Sequence, residues 1–180
     1  MRCFIAIPVP VPASARLMAI QAGLPLGAPV PEENLHLTLA FLGDMSLPAL
    51  EAVDDELSTL RSEAFDLEIA GLGTYGGAIP AVVYAGVRPC AGLTGLRQRI
   101  RSRLHGAGIM LPRERFHPHV TLARLRGTPS ADEMQRLARW LAAGAAFESP
   151  AFRVGEFALF RSTLGSGPAR YDLLARYPLG

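Results

Sequence analysis

Two stretches, one in each half of the chain, carry the same pattern: Leu35-His36-Leu37-Thr38-Leu39-Ala40-Phe41 and Pro118-His119-Val120-Thr121-Leu122-Ala123-Arg124. Both read His-apolar-Thr-Leu. Successive side chains of an extended strand point to opposite faces. His36 and Thr38 therefore share one face, with Leu35, Leu37 and Leu39 on the other, while His119 and Thr121 stand together over Val120 and Leu122. A lone histidine beside an apolar run is most often a packed structural residue. The chain has only four histidines, so two His-x-Thr pairs arise by accident in roughly one such chain in a hundred, and the matching flanks lower that further. Two strands with apolar backs and an imidazole plus a hydroxyl in front are the parts of a two-histidine acid/base site. Strict alternation puts Phe41 in phase with the leucine underside, so it is expected in the core. It also turns Arg124 away from His119, leaving it a ligand contact only where the strand bends or ends.

The two halves rhyme beyond the motif. Motif strand, helix, alternating strand, glycine-containing loop and strand describe residues 34–87 and again 118–177, which reads as an internal duplication. In order, the pattern predicts a strand over 2–9, a helix over 13–22 and the first motif strand near 34–42. A helix through residue 61 follows, with Ser46 as N-cap and Leu50, Val53, Leu57 and Leu60 at helical spacing. Then come a strand over 65–70, a loop over 71–80 and a strand over 81–87. The arginine-rich helix over 92–106 carries a stripe of Leu93, Leu96, Ile100 and Leu104. The second motif strand lies near 118–125. It precedes a helix capped by Thr128 or Ser130, a strand over 152–160, a loop over 161–168 and a last strand over 170–177. The expected architecture is α+β and bilobal: one domain over 1–180 made of two duplicated lobes, with mainly antiparallel sheets facing across a central cleft and helices outside.

Composition excludes several classes. With 49% hydrophobic and 19% charged residues, the chain has the balance of a globular protein, and no apolar run approaches the ~18 residues of a membrane span. Its start reads as a first strand rather than a leader, so the cytoplasm is the default location. Cys3 and Cys90 lack metal-ligand spacing and are expected to be free thiols. Every one of the 18 basic residues is arginine. Arg97, Arg99, Arg101, Arg103, Arg113, Arg115, Arg124 and Arg126 lie in a stretch whose only acid is Glu114. Such a region suits an anionic partner such as RNA; for Arg97 to Arg103 alone, a solvated helix face explains the pattern equally well.

These residues resemble a known family. The opening Arg2-Cys3-Phe4-Ile5-Ala6-Ile7, the context Glu33-Asn34-Leu35-His36-Leu37-Thr38-Leu39-Ala40-Phe41-Leu42-Gly43, the block Phe116-His117-Pro118-His119-Val120-Thr121-Leu122-Ala123-Arg124 and the late Phe160-Arg161-Ser162-Thr163-Leu164 look like the two-histidine phosphoesterases. Within that superfamily they are most similar to the RNA 2′,3′-cyclic phosphodiesterases, historically called 2′-5′ RNA ligases. The resemblance implies a bilobal fold, chemistry without metal or cofactor, and hydrolysis of a terminal 2′,3′-cyclic phosphate to a 2′-phosphate. It also implies His36 as proton donor and His119 as proton acceptor, roles that the symmetric motifs do not distinguish. Thr38 and Thr121 are placed to hydrogen-bond phosphate oxygens, with Arg124 and Phe116 as weaker substrate contacts. The expected partner is an RNA or nucleotide with a 2′,3′-cyclic phosphate end, tRNA halves included, and the protein is expected to be a monomer. Two other readings stand beside hydrolysis: ligation or small-nucleotide cyclic phosphate cleavage, and an RNA-end-binding module without turnover. Phe4, Phe41, Phe116, Tyr75 and Tyr84 are candidate base-stacking residues, and His117 a rim residue.

Overall fold

A computed structural model describes residues 1–113, 115–165 and 168–180. Glu114, the one acid of the arginine-rich stretch, lies outside the described residues, as do two residues of the loop expected at 161–168. The elements run β1 (Arg2–Pro8), α1 (Val11–Gln21), β2 (Ala28–Pro29), a 3-10 turn (Glu32–Asn34), β3 (His36–Asp44), α2 (Leu47–Ser58), β4 (Phe65–Leu67), β5 (Ile69–Tyr75) and β6 (Val82–Val87). They continue with α3 (Ala91–Gly106), β7 (His119–Arg124), α4 (Ala131–Ala143), β8 (Phe152–Val154), β9 (Glu156–Thr163) and β10 (Arg170–Pro178). The protein is α+β, and every strand pairing among the described residues is antiparallel.

The strands follow one path, β10-β9-β1-β3-β7-β6-β5, with β2 beside β7 and a separate β4-β8 pair. The two expected sheets are thus joined, through the single pair Leu37↔Val120 between β3 and β7. Nor does each half build its own sheet. β5 and β6, which follow the first motif strand, lie beside the second, while β9 and β10, which follow the second, lie beside β1 and the first. The rhyming positions also meet each other. Leu37 and Val120, one residue past each motif histidine, are paired, and β4 pairs with β8 about Asp66↔Arg153. We infer a single domain of two repeats that exchange hairpins across a local two-fold axis.

Where the strands differ from the sequence reading, tertiary pairing is the reason. β5 extends to Tyr75 through the glycines read as a loop, because its backbone pairs with β6 from Leu72 to Tyr75. Gly73 has no Cβ, and one built there would lie 2.5 Å from the Tyr84 hydroxyl, so the Tyr84 ring crosses the strand at this position. The stretch 152–160 is two strands rather than one, since β8 leaves to pair with β4 while β9 joins β1 and β10. β9 also runs on to Thr163 by pairing with β10, into what read as loop. α1 begins at Val11, two residues early, because a proline in the first turn lacks only an N–H that has no partner there.

The core lies under the sheet. Leu93, Leu96, Ile100 and Leu104 of α3 are all at most 1% exposed, and burial of each stabilises by ~1.5–3 kcal/mol. The undersides of the motif strands, Leu37, Leu39, Val120 and Leu122, join the same core. Among the described residues no helix is long and apolar enough to cross a membrane. α4 starts on a complete capping box: Ser130 Oγ accepts the Glu133 N–H, and the Glu133 carboxylate accepts the Ser130 N–H at 2.7 Å. Ser130→Ala should cost about 1 kcal/mol, a drop of ~2–4 °C in Tm for a domain of this size, measured by thermal melting with the site left intact.

Candidate active site

The pair Leu37↔Val120 sets the register of the two motif strands. One residue to either side, an antiparallel ladder puts His36 across from Thr121 and Thr38 across from His119. Continued in this way, the register sets the four side chains at the corners of a square on one face, with the imidazoles on its diagonal, the relation of cross-strand neighbours ~7–8 Å apart. All four line one cavity of about 520 Å³.

Both imidazoles are oriented in the same way. His36 Nδ1 is 2.6 Å from the Asn34 carbonyl oxygen, and His119 Nδ1 is 2.8 Å from that of His117. A carbonyl only accepts, so Nδ1 holds the proton of the neutral ring and Nε2 is the free, basic nitrogen. Rings flank each imidazole: Phe4 at 4.9 Å and Tyr171 edge-on at 5.2 Å beside His36, Tyr75 edge-on at 4.9 Å and Tyr84 at 5.3 Å beside His119. Burial pushes the His36 imidazole down to about 4; the Asn34 hydrogen bond opposes this, and the Arg124 guanidinium and the ring of His119 reinforce it. His119 is lowered too, chiefly by burial, against its bond to His117 and with the charges of His117 and Arg124 adding to the effect. The Thr38 and Thr121 hydroxyls make no hydrogen bond among the described residues and are open to a ligand.

Arg124 also lines this cavity, as does Phe41 at 64% exposure. Phe41 is therefore not in the core, and Arg124 does not face away from His119. One cause explains both corrections. On β3 the partners step from Thr38↔Ala6 to Ala40↔Ile5, skipping Leu39; on β7 they step from Thr121↔Tyr84 to Ala123↔Val83, skipping Leu122. Each motif strand thus has a β-bulge at the equivalent leucine, and a bulge shifts the alternation by one. Leu39 and Ala40 are both buried, as are Leu122 and Ala123, so the next residue, Phe41 or Arg124, lands on the histidine face. Among the described residues the Arg124 guanidinium has no ion pair.

Phe116 lies in a smaller adjoining cavity of about 240 Å³, together with Arg97, Arg115 and His117; Thr38, Phe41, Tyr75 and His119 border both cavities, and His36 only the larger. The Arg97 guanidinium sits 4.2 Å over the Phe116 ring. Most of the α3 arginines serve the fold instead. Arg99 donates to Ser62, Arg101 to the Leu111 and Pro112 carbonyls, and Arg103 pairs with Glu56. Phe4, Tyr75 and Tyr84, read as base-stacking candidates, pack on the imidazoles. Arg2, Ser162 and Tyr171 line the main cavity without having been read as site residues. Arg2 left a trace, a charge at the head of an apolar strand; Tyr171 left none, because its strand alternates no more clearly than others. Among the described residues no group of three His, Cys, Asp or Glu is placed to hold a metal ion.

Known proteins share this arrangement of strands. The chain superposes on Escherichia coli LigT complexed with 3′-AMP with a TM-score of 0.79 and 29% identity, over 99% of this chain and 97% of that one. It is 32% identical to an E. coli protein named RNA 2′,3′-cyclic phosphodiesterase, over 85% of this chain and 80% of the relative. A Geobacillus stearothermophilus protein of the same name is 31% identical over 98% of this chain, which spans 56% of that relative. The model of the 2′-5′ RNA ligase superfamily matches residues 9–165, in which both His-x-Thr strands lie, and the chain belongs to that superfamily.

Proposed function

We propose that this protein hydrolyses 2′,3′-cyclic phosphate ends of RNA to 2′-phosphates, with His36 and His119 as acid and base and without a metal ion or cofactor. The observation that carries the reading is the square of two imidazoles and two open hydroxyls. A cyclic phosphate seated at its centre has one Nε2 on each side, as in-line displacement requires. His119 takes a proton from water as its oxygen bonds to phosphorus. The P–O3′ bond breaks on the far side, and His36 protonates O3′. Thr38 and Thr121 donate to the non-bridging oxygens, and Arg124 opposes the charge that builds on them. The smaller cavity supports giving the base role to His119, since it reaches His119 and not His36 and so admits the nucleophile on that side. The name shared by relatives over most of the chain supports the substrate class.

His36 is neutral near pH 7 in the empty site, with its imidazole pushed down to about 4. A bound phosphate anion favours the charged ring, so substrate itself raises the acid into its working form. The cation Arg124 acts the other way on the ring while it holds the phosphate.

A second reading is favoured by the size of the smaller cavity. At about 240 Å³ it far exceeds the ~30 Å³ share of one water, room for a 5′-hydroxyl nucleotide in the place of water. The same two proton transfers then form a 2′-5′ bond, as in the joining of tRNA halves. We further propose that the protein works as a monomer in the cytoplasm.

His36→Ala and His119→Ala should each lower kcat by at least ~10² in EDTA on an oligonucleotide ending in 2′,3′-cyclic phosphate, with unchanged circular dichroism. Undiminished turnover in both would remove the proposal. Thr38→Val or Thr121→Val should cost ~10²-fold in kcat, as expected for one donor to the developing charge.

The pH dependence follows from the lowered imidazoles. Activity requires a neutral base, gained as pH rises, and a charged acid, lost as pH rises, so kcat/KM is bell-shaped. Both free-protein imidazoles lie below 6.5, so its maximum should fall on the acid side of 6.5. The profile of kcat, which reports the phosphate-bound site, should lie at higher pH. A binding module without turnover would show neither profile.

A further inference from the structure

We propose that Gln21 is a positioning residue for the phosphodiesterase reaction: its side-chain amide holds the β7 bulge that aims Arg124 into the cavity. Gln21 is the last residue of α1, on the inner face with Ser14 and Leu17, and is 7% exposed. Its Nε2 donates to the Leu122 carbonyl at 2.7 Å and to the Val30 carbonyl at 2.9 Å. Leu122 is the residue that the β6–β7 register skips. The Leu122 carbonyl also accepts the Val30 N–H at 2.8 Å. The bulge is therefore tied on one side by a side chain from α1 and by the segment next to β2.

That segment is brought close for the purpose. β2 pairs Ala28 with Arg124 and Pro29 with Ala123. Gly27 precedes it at φ +99°, and a Cβ there would lie 2.8 Å from the Leu125 side chain and 3.3 Å from the Arg124 carbonyl. Gly27 therefore serves both the left-handed turn and the close approach. With both hydrogens of one amide shared between Val30 and Leu122, Gln21 fixes the separation of the two strands at the point where β7 changes phase. Without the bulge, strict alternation returns Arg124 to the face opposite His119 and Thr121. Among the described residues no side chain holds the Leu39 carbonyl in β3, where the residue turned to the cavity is Phe41 and there is no charge to aim.

The inference rests on the phosphodiesterase reading and on a role for Arg124 within it. Its test compares Gln21→Met, which keeps the volume and removes the donors, with Arg124→Ala and the double variant on a 2′,3′-cyclic-phosphate oligonucleotide. Gln21→Met should lower kcat/KM about 10- to 100-fold, as a displaced positioning group does. In the Arg124→Ala background it should add less than about twofold, since both changes remove one interaction. Val30→Pro, which deletes the other donor to the same carbonyl, should act in the same direction and serves if Gln21→Met does not fold. Full activity in Gln21→Met, or an equal loss in both backgrounds, overturns the inference and leaves the histidine mechanism standing. An unimpaired Arg124→Ala removes Arg124 and Gln21 together. Absence of hydrolysis in the unmodified protein would instead defeat the proposed function.

Discussion

The site depends on one contact between strands that are otherwise apart in sequence, the pair Leu37↔Val120. Because the ladder is antiparallel, this pair determines that each histidine faces the other strand's threonine rather than the other histidine. A register one residue different would turn one strand's histidine and threonine into the core and lift its leucines into the cavity. The undersides prevent that. Leu37, Leu39, Val120 and Leu122 are each no more than 2% exposed, and moving such side chains into water costs several kcal/mol in sum. The chemistry of the upper face is thus positioned by the apolar packing of the lower one.

The exchange of hairpins explains how such a site stays rigid. β6 and β5 brace β7, while β1, β9 and β10 brace β3. Since the hairpins β5–β6 and β9–β10 each follow the opposite motif strand in the chain, separating the two motifs means disrupting both sides of the sheet. The aromatic side chains beside the imidazoles come from these braces: Phe4 on β1, Tyr171 on β10, Tyr75 on β5 and Tyr84 on β6. They exclude water from the rings, which lowers their affinity for protons, and pack each ring beside the carbonyl that fixes its tautomer. Rigidity and proton affinity therefore have the same structural source.

The arginines divide according to what surrounds them. Those of α3 looked like a phosphate-binding surface when read by density, yet three of them bind a side chain or a carbonyl of the fold. Arg124, discounted by its phase in the strand, lines the main cavity with both histidines, as does Arg2. Density along the chain was the weaker guide, because a helix distributes neighbouring arginines around its circumference whereas a sheet gathers separated ones onto a face.

The sequence by itself determined the pairs that share a strand face, His36 with Thr38 and His119 with Thr121, along with the helical stripes, the cap at Ser46 and the α+β class; between Thr128 and Ser130 as the cap of α4 only the structure chose. Each of these is a local property: a period of two or of 3.6, or a cap within one turn. Only the tertiary structure decided the bulges, the exchanged hairpins, the extension of β5 through its glycines and the company of Tyr171. A bulge is set by which partner residue a strand skips, and no pattern within Leu39 or Leu122 records it. For the same reason Phe41 and Arg124 were placed on the wrong face: the alternation rule assumes an unbroken ladder, and the ladder breaks between each histidine and the residue, Phe41 or Arg124, that lines the cavity beyond it.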